Sequence, residues 1–229
     1  MSQSAPARRP TPRQLLTGLR RQEILAAAIH VFGKKGYAAT CVEDVARQAR
    51  LAKGTVYLYF DSKEEIYAAA VRSAVERLHA LAAERLQDVQ GLRRRLSVAI
   101  SVRMEFWDQQ LNLYRLLLTV GREAQHKRQT HELLRAGHAF YLSILQAGRD
   151  AGEIEPGIDL EAIAWAILDL IRGSNERRME RLTRRTPQQD AETITAFALR
   201  QLKLHADSGP DGYSPEPQEH SPEPSQEQS

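Results

Sequence analysis

Between Lys53 and Lys63 the chain sets two lysines, a glycine, a threonine and two tyrosines within eleven residues. These residues form no nucleophile–base pair. They supply amines and hydroxyls that bind phosphate oxygens, and a threonine whose hydroxyl and methyl can meet a base edge. Lys53 brings positive charge, and Gly54 lets the backbone come close to a partner. Thr55 follows it. Tyr57 and Tyr59 stand two residues apart, so one or both hydroxyls can reach a phosphate. Lys63 lies in the first turn of the next helix, where free N–H groups and the helix dipole favour an anion. The chemistry on offer is contact with a polyanion.

Such residues act only if helices hold them. Thr40 to Glu43 has the spacing of a capping box and predicts a helix over about Cys41–Ala49. A turn at Arg50–Ala52 follows, then a short helix from Lys53 to about Phe60. Two short helices joined by a three- or four-residue turn make a helix-turn-helix, whose second helix enters the DNA major groove. Val42, Val45, Ala46, Leu51 and Val56 form its small shared core. Upstream, Ile24, Leu25, Ala28, Val31 and Phe32 lie on one helical face. That helix ends at Gly36, after Lys34 and Lys35.

Charge is laid out to match. Residues 1–60 hold ten Lys/Arg against three Asp/Glu, residues 61–206 hold 22 against 20, and residues 207–229 hold none against six. A basic front end on a nearly neutral body suits a polyanion partner. The longest stretches without a charge, such as residues 24–33, reach half of the roughly 20 residues a membrane helix needs. No apolar run follows Arg8 and Arg9, so the N-terminus does not read as a secretory signal. One cysteine, Cys41, excludes an intrachain disulfide and a multi-cysteine zinc site. These features predict a cytoplasmic protein with no membrane span.

Downstream the pattern stays helical, and no stretch alternates with period two. Ser62 to Glu65 opens a long helix to about Gln87, Gly91 restarts the chain, and Asp159 begins another helix. Thr186 and Gln189, with Pro187 between them, cap the last. The expected fold is all-α, with about nine helices and no sheet. The segment Leu160–Ile171 is apolar on nearly every side, so it should bury two faces, one of them against a second subunit. Ile194, Phe197, Ala198 and Leu202 in the last helix offer a matching stripe.

Arg103 stands on an apolar stripe between Ile100 and Trp107, and Arg172 and Asn175 follow the apolar run of the eighth helix. Two readings are open: structural ion pairs, or anchors for a ligand's polar group inside an apolar pocket. The pocket is expected to be lined by Met104, Trp107, Tyr114, Phe140, Tyr141 and Trp165, which suit an apolar or aromatic molecule. Glu76/His79 and Glu123/His126 have a spacing found in di-iron bundles. Their polar neighbours make surface charge the plainer reading, and no metal, cofactor or catalytic residue is expected. Cys41, in the first turn of its helix, reads as a small packing residue or a redox thiol.

One further pattern runs through Ile24-Leu25 with Ala28, Phe32 with Gly36-Tyr37, Thr40, Val45-Ala46, Gly54 to Tyr57, Tyr59-Phe60 and Ser62 to Ile66. On these residues the chain, from about Arg20 to Ala70, resembles the tetracycline-repressor (TetR) family of bacterial transcriptional regulators. The resemblance implies a homodimer that binds double-stranded operator DNA and is released by a small-molecule effector in its C-terminal domain. The last two helices are expected to form the dimer. With the residues read above, it sets the DNA-contacting group as Thr40, Arg50, Lys53, Gly54, Thr55, Tyr57, Tyr59 and Lys63. The expected organisation is a disordered basic arm at 1–16, a helix-turn-helix domain at 17–62, a ligand-binding and dimerisation domain at 63–206, and a disordered acidic tail at 207–229. Arg50 stands where the family turn has glycine, and Ala52 where it has a serine cap. A helical enzyme or metal-binding bundle, and a DNA-binding protein without a ligand, are the other two readings.

Overall fold

The computed structural model describes residues 11–121 and 126–202. The acidic tail at 207–229 and Glu123 of the second Glu-x-x-His pair lie outside the described residues. The elements are α1 (Pro12–Lys35), α2 (Val42–Gln48), α3 (Lys53–Tyr57), α4 (Lys63–Leu86), α5 (Leu92–Gln109), α6 (Leu111–Val120), α7 (Lys127–Asp150), α8 (Leu160–Met179) and α9 (Pro187–Gln201). Among the described residues there is no strand, and no helix is long and apolar enough to cross a membrane.

α1 starts at Pro12, inside the segment expected to be a disordered arm. Proline suits the first helical position, where its missing N–H is not needed, and Leu15 N–H donates to the Thr11 carbonyl at 3.0 Å. The cap of α2 is also one residue off. Cys41, not Thr40, is the N-cap, and its N–H donates to the Asp44 carboxylate at 3.2 Å. The Ser62 hydroxyl accepts from Glu65 N–H at 3.1 Å as expected, but Glu65 reaches back to the N–H of Asp61. The Thr186 box forms in both directions.

Two cores share the chain. The first joins α1–α4 and α6 around Ile24, Phe32, Val45, Val56, Phe60 and Ile66. The second joins α5, α7, α8 and α9 around Leu96, Ile100, Met104, Leu145, Ile167 and Ile194. α5 is buried on both sides: Val102, Phe106 and Trp107 belong to the first core, while Ile100 and Met104 belong to the second. α4 carries the first core from the helix-turn-helix into the body, and its last residue, Leu86, lies in the second. The α8–α9 corner is tied by Arg178. Its guanidinium donates to Asp190 at 2.7 Å, to Asp108 at 3.1 Å and to the Asn175 side-chain oxygen at 2.5 Å.

Candidate DNA-binding face and ligand cavity

The turn between α2 and α3 closes through two backbone bonds. Arg50 N–H donates to the Arg47 carbonyl at 3.1 Å and Leu51 N–H to the Ala46 carbonyl at 2.9 Å. That is the Schellman pattern, which needs a left-handed residue after the helix cap. Arg50 takes that conformation, with φ 56°. A side chain at this position is strained by about 1 kcal/mol relative to glycine. Arg50→Gly should therefore raise the melting temperature by an amount worth about 1 kcal/mol. A calorimetric melt showing an unchanged or lowered temperature would contradict it. At the other side of the turn, Ala52 starts α3 with no side-chain cap, and Thr55 N–H donates to its carbonyl at 2.9 Å.

α3 presents Lys53, Gly54 and Tyr57 to solvent, with Thr55 half-buried beside them and Val56 in the core. A Cβ built on Gly54 would meet no atom within 4 Å, so nothing in the protein itself requires glycine there. Lys53 is ion-paired with Glu43 of α2, and its ammonium sits 5.7 Å from the Tyr57 ring centre. The Lys53 hydrogen bond holds the Glu43 carboxyl below its ordinary value. Tyr59 is packed partly against the first core, and Arg21 donates to its carbonyl at 3.0 Å.

Two expected DNA contacts are placed elsewhere. Thr40 is buried, and its hydroxyl donates to the Gly36 carbonyl at 2.7 Å, closing the corner after α1. The Lys63 ammonium donates to the Tyr37 carbonyl at 2.9 Å and lies 4.5 Å from the Tyr37 ring centre. Both residues hold the loop that delivers α2, because that loop leaves carbonyls needing donors. Cys41 is exposed, and its thiol donates to Asp44 at 3.2 Å.

Asp44 is the polar centre of this unit. It accepts from Lys35 at 2.7 Å and from Cys41 N–H at 3.2 Å, with the Arg47 guanidinium 3.7 Å away. The Lys35 bond first, then the backbone, holds its carboxyl well below the usual carboxylate range. A depressed folded value stabilises above the unfolded value near about 3.9, and that gain is lost as pH falls toward the folded value. Asp44→Asn should lower the melting temperature at pH 7, and the gap to the parent should close as the pH drops below about 4. A gap that persists or widens in acid would show that Asp44 does not act through its charge.

A second feature lies between α4, α5, α6, α7 and α8, at the seam of the two cores. It is a cavity of about 130 Å³, lined by Val75, Leu78, His79, Arg103, Trp107, Tyr114, Leu117, Leu118, Gly121, Thr130, Leu133, Leu134, Gly137, Ile171, Arg172 and Asn175. Five expected ligand residues meet there: Arg103, Trp107, Tyr114, Arg172 and Asn175. Four do not. Met104 and Tyr141 are wholly buried in the second core, and the Tyr141 hydroxyl donates to the Ala99 carbonyl at 3.4 Å. Phe140 packs against both cores, and Trp165 is 38% exposed on the outer side of α8, stacked on His138 at 4.3 Å. The leucines of α6 and α7 make up much of the wall, and their heptad-like spacing reads in sequence only as core.

His79 was expected on a polar surface but lines this cavity. Burial, then the nearby Arg103 charge, pushes its imidazole below its ordinary value. Burial pushes the Tyr114 phenol up to about 12, and its hydroxyl donates to the Arg172 carbonyl at 3.4 Å. The Arg172 guanidinium pairs with Asp169 at 3.2 Å, the structural role left open for it. Among the described residues no group of three or more His, Cys, Asp or Glu is placed to hold a metal ion.

Residues 24–70 match the family model described as bacterial regulatory proteins, tetR family. The fatty acid metabolism regulator protein of Bacillus subtilis (strain 168) is 26% identical over 151 residues, covering 65% of this chain and 78% of the relative. The HTH-type transcriptional activator FasR of Mycolicibacterium smegmatis (strain ATCC 700084 / mc(2)155) is 32% identical over 98 residues, covering 43% and 45%. Among solved structures, the transcriptional regulator FadR from Bacillus subtilis in complex with stearoyl-CoA shares the fold, with a TM-score of 0.71 and 21% identity over 79% of this chain and 98% of that one. The matched segment spans the whole helix-turn-helix and the start of α4, and the fold likeness runs through the helical body; residues 24–70 form a helix-turn-helix unit of the type found in the tetR family of bacterial regulatory proteins.

Proposed function

We propose that this protein is a homodimeric repressor whose two α3 helices read an inverted repeat and whose body releases DNA on binding an acyl-chain amphiphile. Residues 17–62 act as the DNA-reading unit and residues 63–206 as the effector and dimer unit. α3 enters the major groove, with Thr55 toward base edges and Gly54 at the closest backbone approach. Lys53 exchanges its Glu43 partner for a phosphate, and Arg50 and Tyr57 flank it. The open space over Gly54 on an exposed, cation-bearing α3 is the observation that carries the DNA half of the reading.

The dimer forms through α8 and α9, whose outer faces leave Trp165 and Phe197 38% and 46% exposed. The effector half rests on an apolar-walled cavity holding an arginine, and on the stearoyl-CoA bound by a protein of the same fold. A long acyl chain needs more room than about 130 Å³, since ligand sites usually measure about 300–1,000 Å³. Binding therefore spreads α6 and α7 from α4 and α5. α4 carries that movement to the recognition helices, and the effector releases DNA by favouring the state in which they are wrongly spaced.

Operator DNA selected from a random pool by the purified protein tests the reading. The selected sites should be inverted repeats with half-site centres about one helical turn, or a small multiple, apart. With about six phosphate contacts, affinity should fall about a thousandfold between 50 and 200 mM salt. Phe197→Arg should yield monomers in sedimentation and lose tight operator binding. A salt-independent affinity, or a monomeric variant that binds as the parent does, would overturn this function.

A further inference from the structure

The polar groups of the cavity are unevenly matched. Asn175 is 2% exposed, and its side-chain oxygen is already taken by Arg178 at 2.5 Å. That bond fixes the amide's orientation, so the nitrogen is the free end, and it is buried without a hydrogen-bond partner. A buried amide N–H pair left unmatched is costly and calls for an acceptor. Arg103 makes no ion pair or hydrogen bond among the described residues, although eleven such pairs form elsewhere. Its guanidinium lies across α7 where Gly137 has no side chain: a Cβ there would stand 3.0 Å from Nη2. The cavity lining contains no Asp or Glu. The Tyr114 hydroxyl on α6 donates to the Arg172 carbonyl at 3.4 Å and turns its oxygen toward the Asn175 amide, at a geometry that leaves the Nδ2 hydrogens without a well-formed bond.

A largely apolar chamber that holds an unpaired guanidinium and a poorly matched amide N–H, beside the His79 imidazole, wants a ligand that brings acceptors and negative charge. The opposite wall, Leu117, Leu118, Leu133 and Leu134, offers only alkyl contact. We infer that the effector is an acyl chain with a free carboxylate, held head-inward with its carboxylate on Arg103 and Asn175 and its chain along the leucines of α6 and α7. The inference rests on the acyl-chain reading above and narrows it. A thioester carries no carboxylate to offer these donors at the buried end, so the unesterified acid is the signal and the coenzyme A thioester is not. Arg103 and Asn175 then set specificity for the head group, while the leucines set it for the chain.

The test uses the full-length protein and its selected operator, with decanoate, myristate and palmitate as probes beside their methyl esters and coenzyme A thioesters. Free acids should bind and release the operator, and methyl esters should bind at least about tenfold more weakly, the loss expected when a charged hydrogen-bonded pair is removed. Arg103→Gln and Asn175→Leu should each weaken the acid by about tenfold or more and leave ester binding within about twofold. Gly137→Ala, which displaces the guanidinium without removing it, should act in the same direction, and Arg103→Lys should recover part of the affinity. Folding of each variant is checked by its melting curve, and Gly137→Ala and Arg103→Lys keep the test decisive if either deletion unfolds the protein. Acids and esters that bind alike, thioesters that act where acids do not, or an Arg103→Gln protein with parental affinity for acids would each overturn the head-inward carboxylate while leaving an acyl-chain effector standing. If acids, esters and thioesters all fail to bind, the acyl-chain reading falls together with this one.

Discussion

Gly54→Leu should fold at least as well as the parent and lose its operator. Gly54 is the second residue of α3, and a Cβ there meets nothing. Leucine favours a helix over glycine by about 0.8 kcal/mol, so the domain should be unharmed or slightly more stable. On DNA the outcome reverses. If α3 lies in the major groove, the leucine side chain occupies the space the duplex must fill. Losing about two base contacts costs at least about a hundredfold in affinity. Fluorescence anisotropy on a selected operator, read beside a circular dichroism melt, separates the two effects. Retention of operator affinity within a few-fold would mean that α3 does not approach DNA at Gly54, and the docking proposed here would be wrong.

Asp190→Ala should be among the most destabilising single changes in the body. Asp190 is 5% exposed and accepts from both Arg178, at 2.7 Å, and Arg185, at 2.6 Å. The Arg178 side chain is itself 8% exposed, whereas that of Arg185 is 48% exposed. Breaking a buried pair by removing one partner costs about 3–5 kcal/mol, because the other charge is left in a poor solvent. An exposed pair is worth about 0–1 kcal/mol. Asp190→Ala should therefore lower the melting temperature by roughly 6–20 °C, and Arg185→Ala, which removes only the exposed donor, by far less. Similar losses from the two would show that Asp108 alone neutralises Arg178 and that the α8–α9 corner does not depend on Asp190. Because α9 begins at this corner, the stronger variant should also weaken the proposed dimer, which sedimentation would reveal.

Much of the fold is legible along the chain. The Ile24–Phe32 stripe, the Ser62 and Thr186 caps, the restart at Gly91 and the helix start near Asp159 all stand where the sequence places them. These signals are local: a cap bonds its own first turn, and a stripe repeats every three or four residues. At Arg50 the resemblance marks a turn position where the family has glycine, and its left-handed φ of 56° agrees with that. The helix-turn-helix and its family could be named from about fifty residues because their signals are local as well.

The cavity was not legible in the same way. Helical spacing says that Ile100, Arg103, Met104 and Trp107 lie near one stripe, but α5 is buried on both sides. Which neighbour each one meets depends on how α4, α7, α8 and α9 close around it. Packing sends Met104 into the second core and leaves Arg103 and Trp107 at the seam. It also brings His79 of α4 into the cavity wall and turns Trp165 outward. On the DNA side, sequence chose residues of the right chemistry but could not see their partners. Lys53 finds Glu43 across the turn and Lys63 finds the Tyr37 carbonyl, 26 residues away in the chain. Helices and their ends were determined by the sequence because the forces that make them act within a few residues. The cavity, its unmatched donors and the pairing of each lysine were decided only by the tertiary structure, because close packing and hydrogen-bond satisfaction act between surfaces that are remote in the chain.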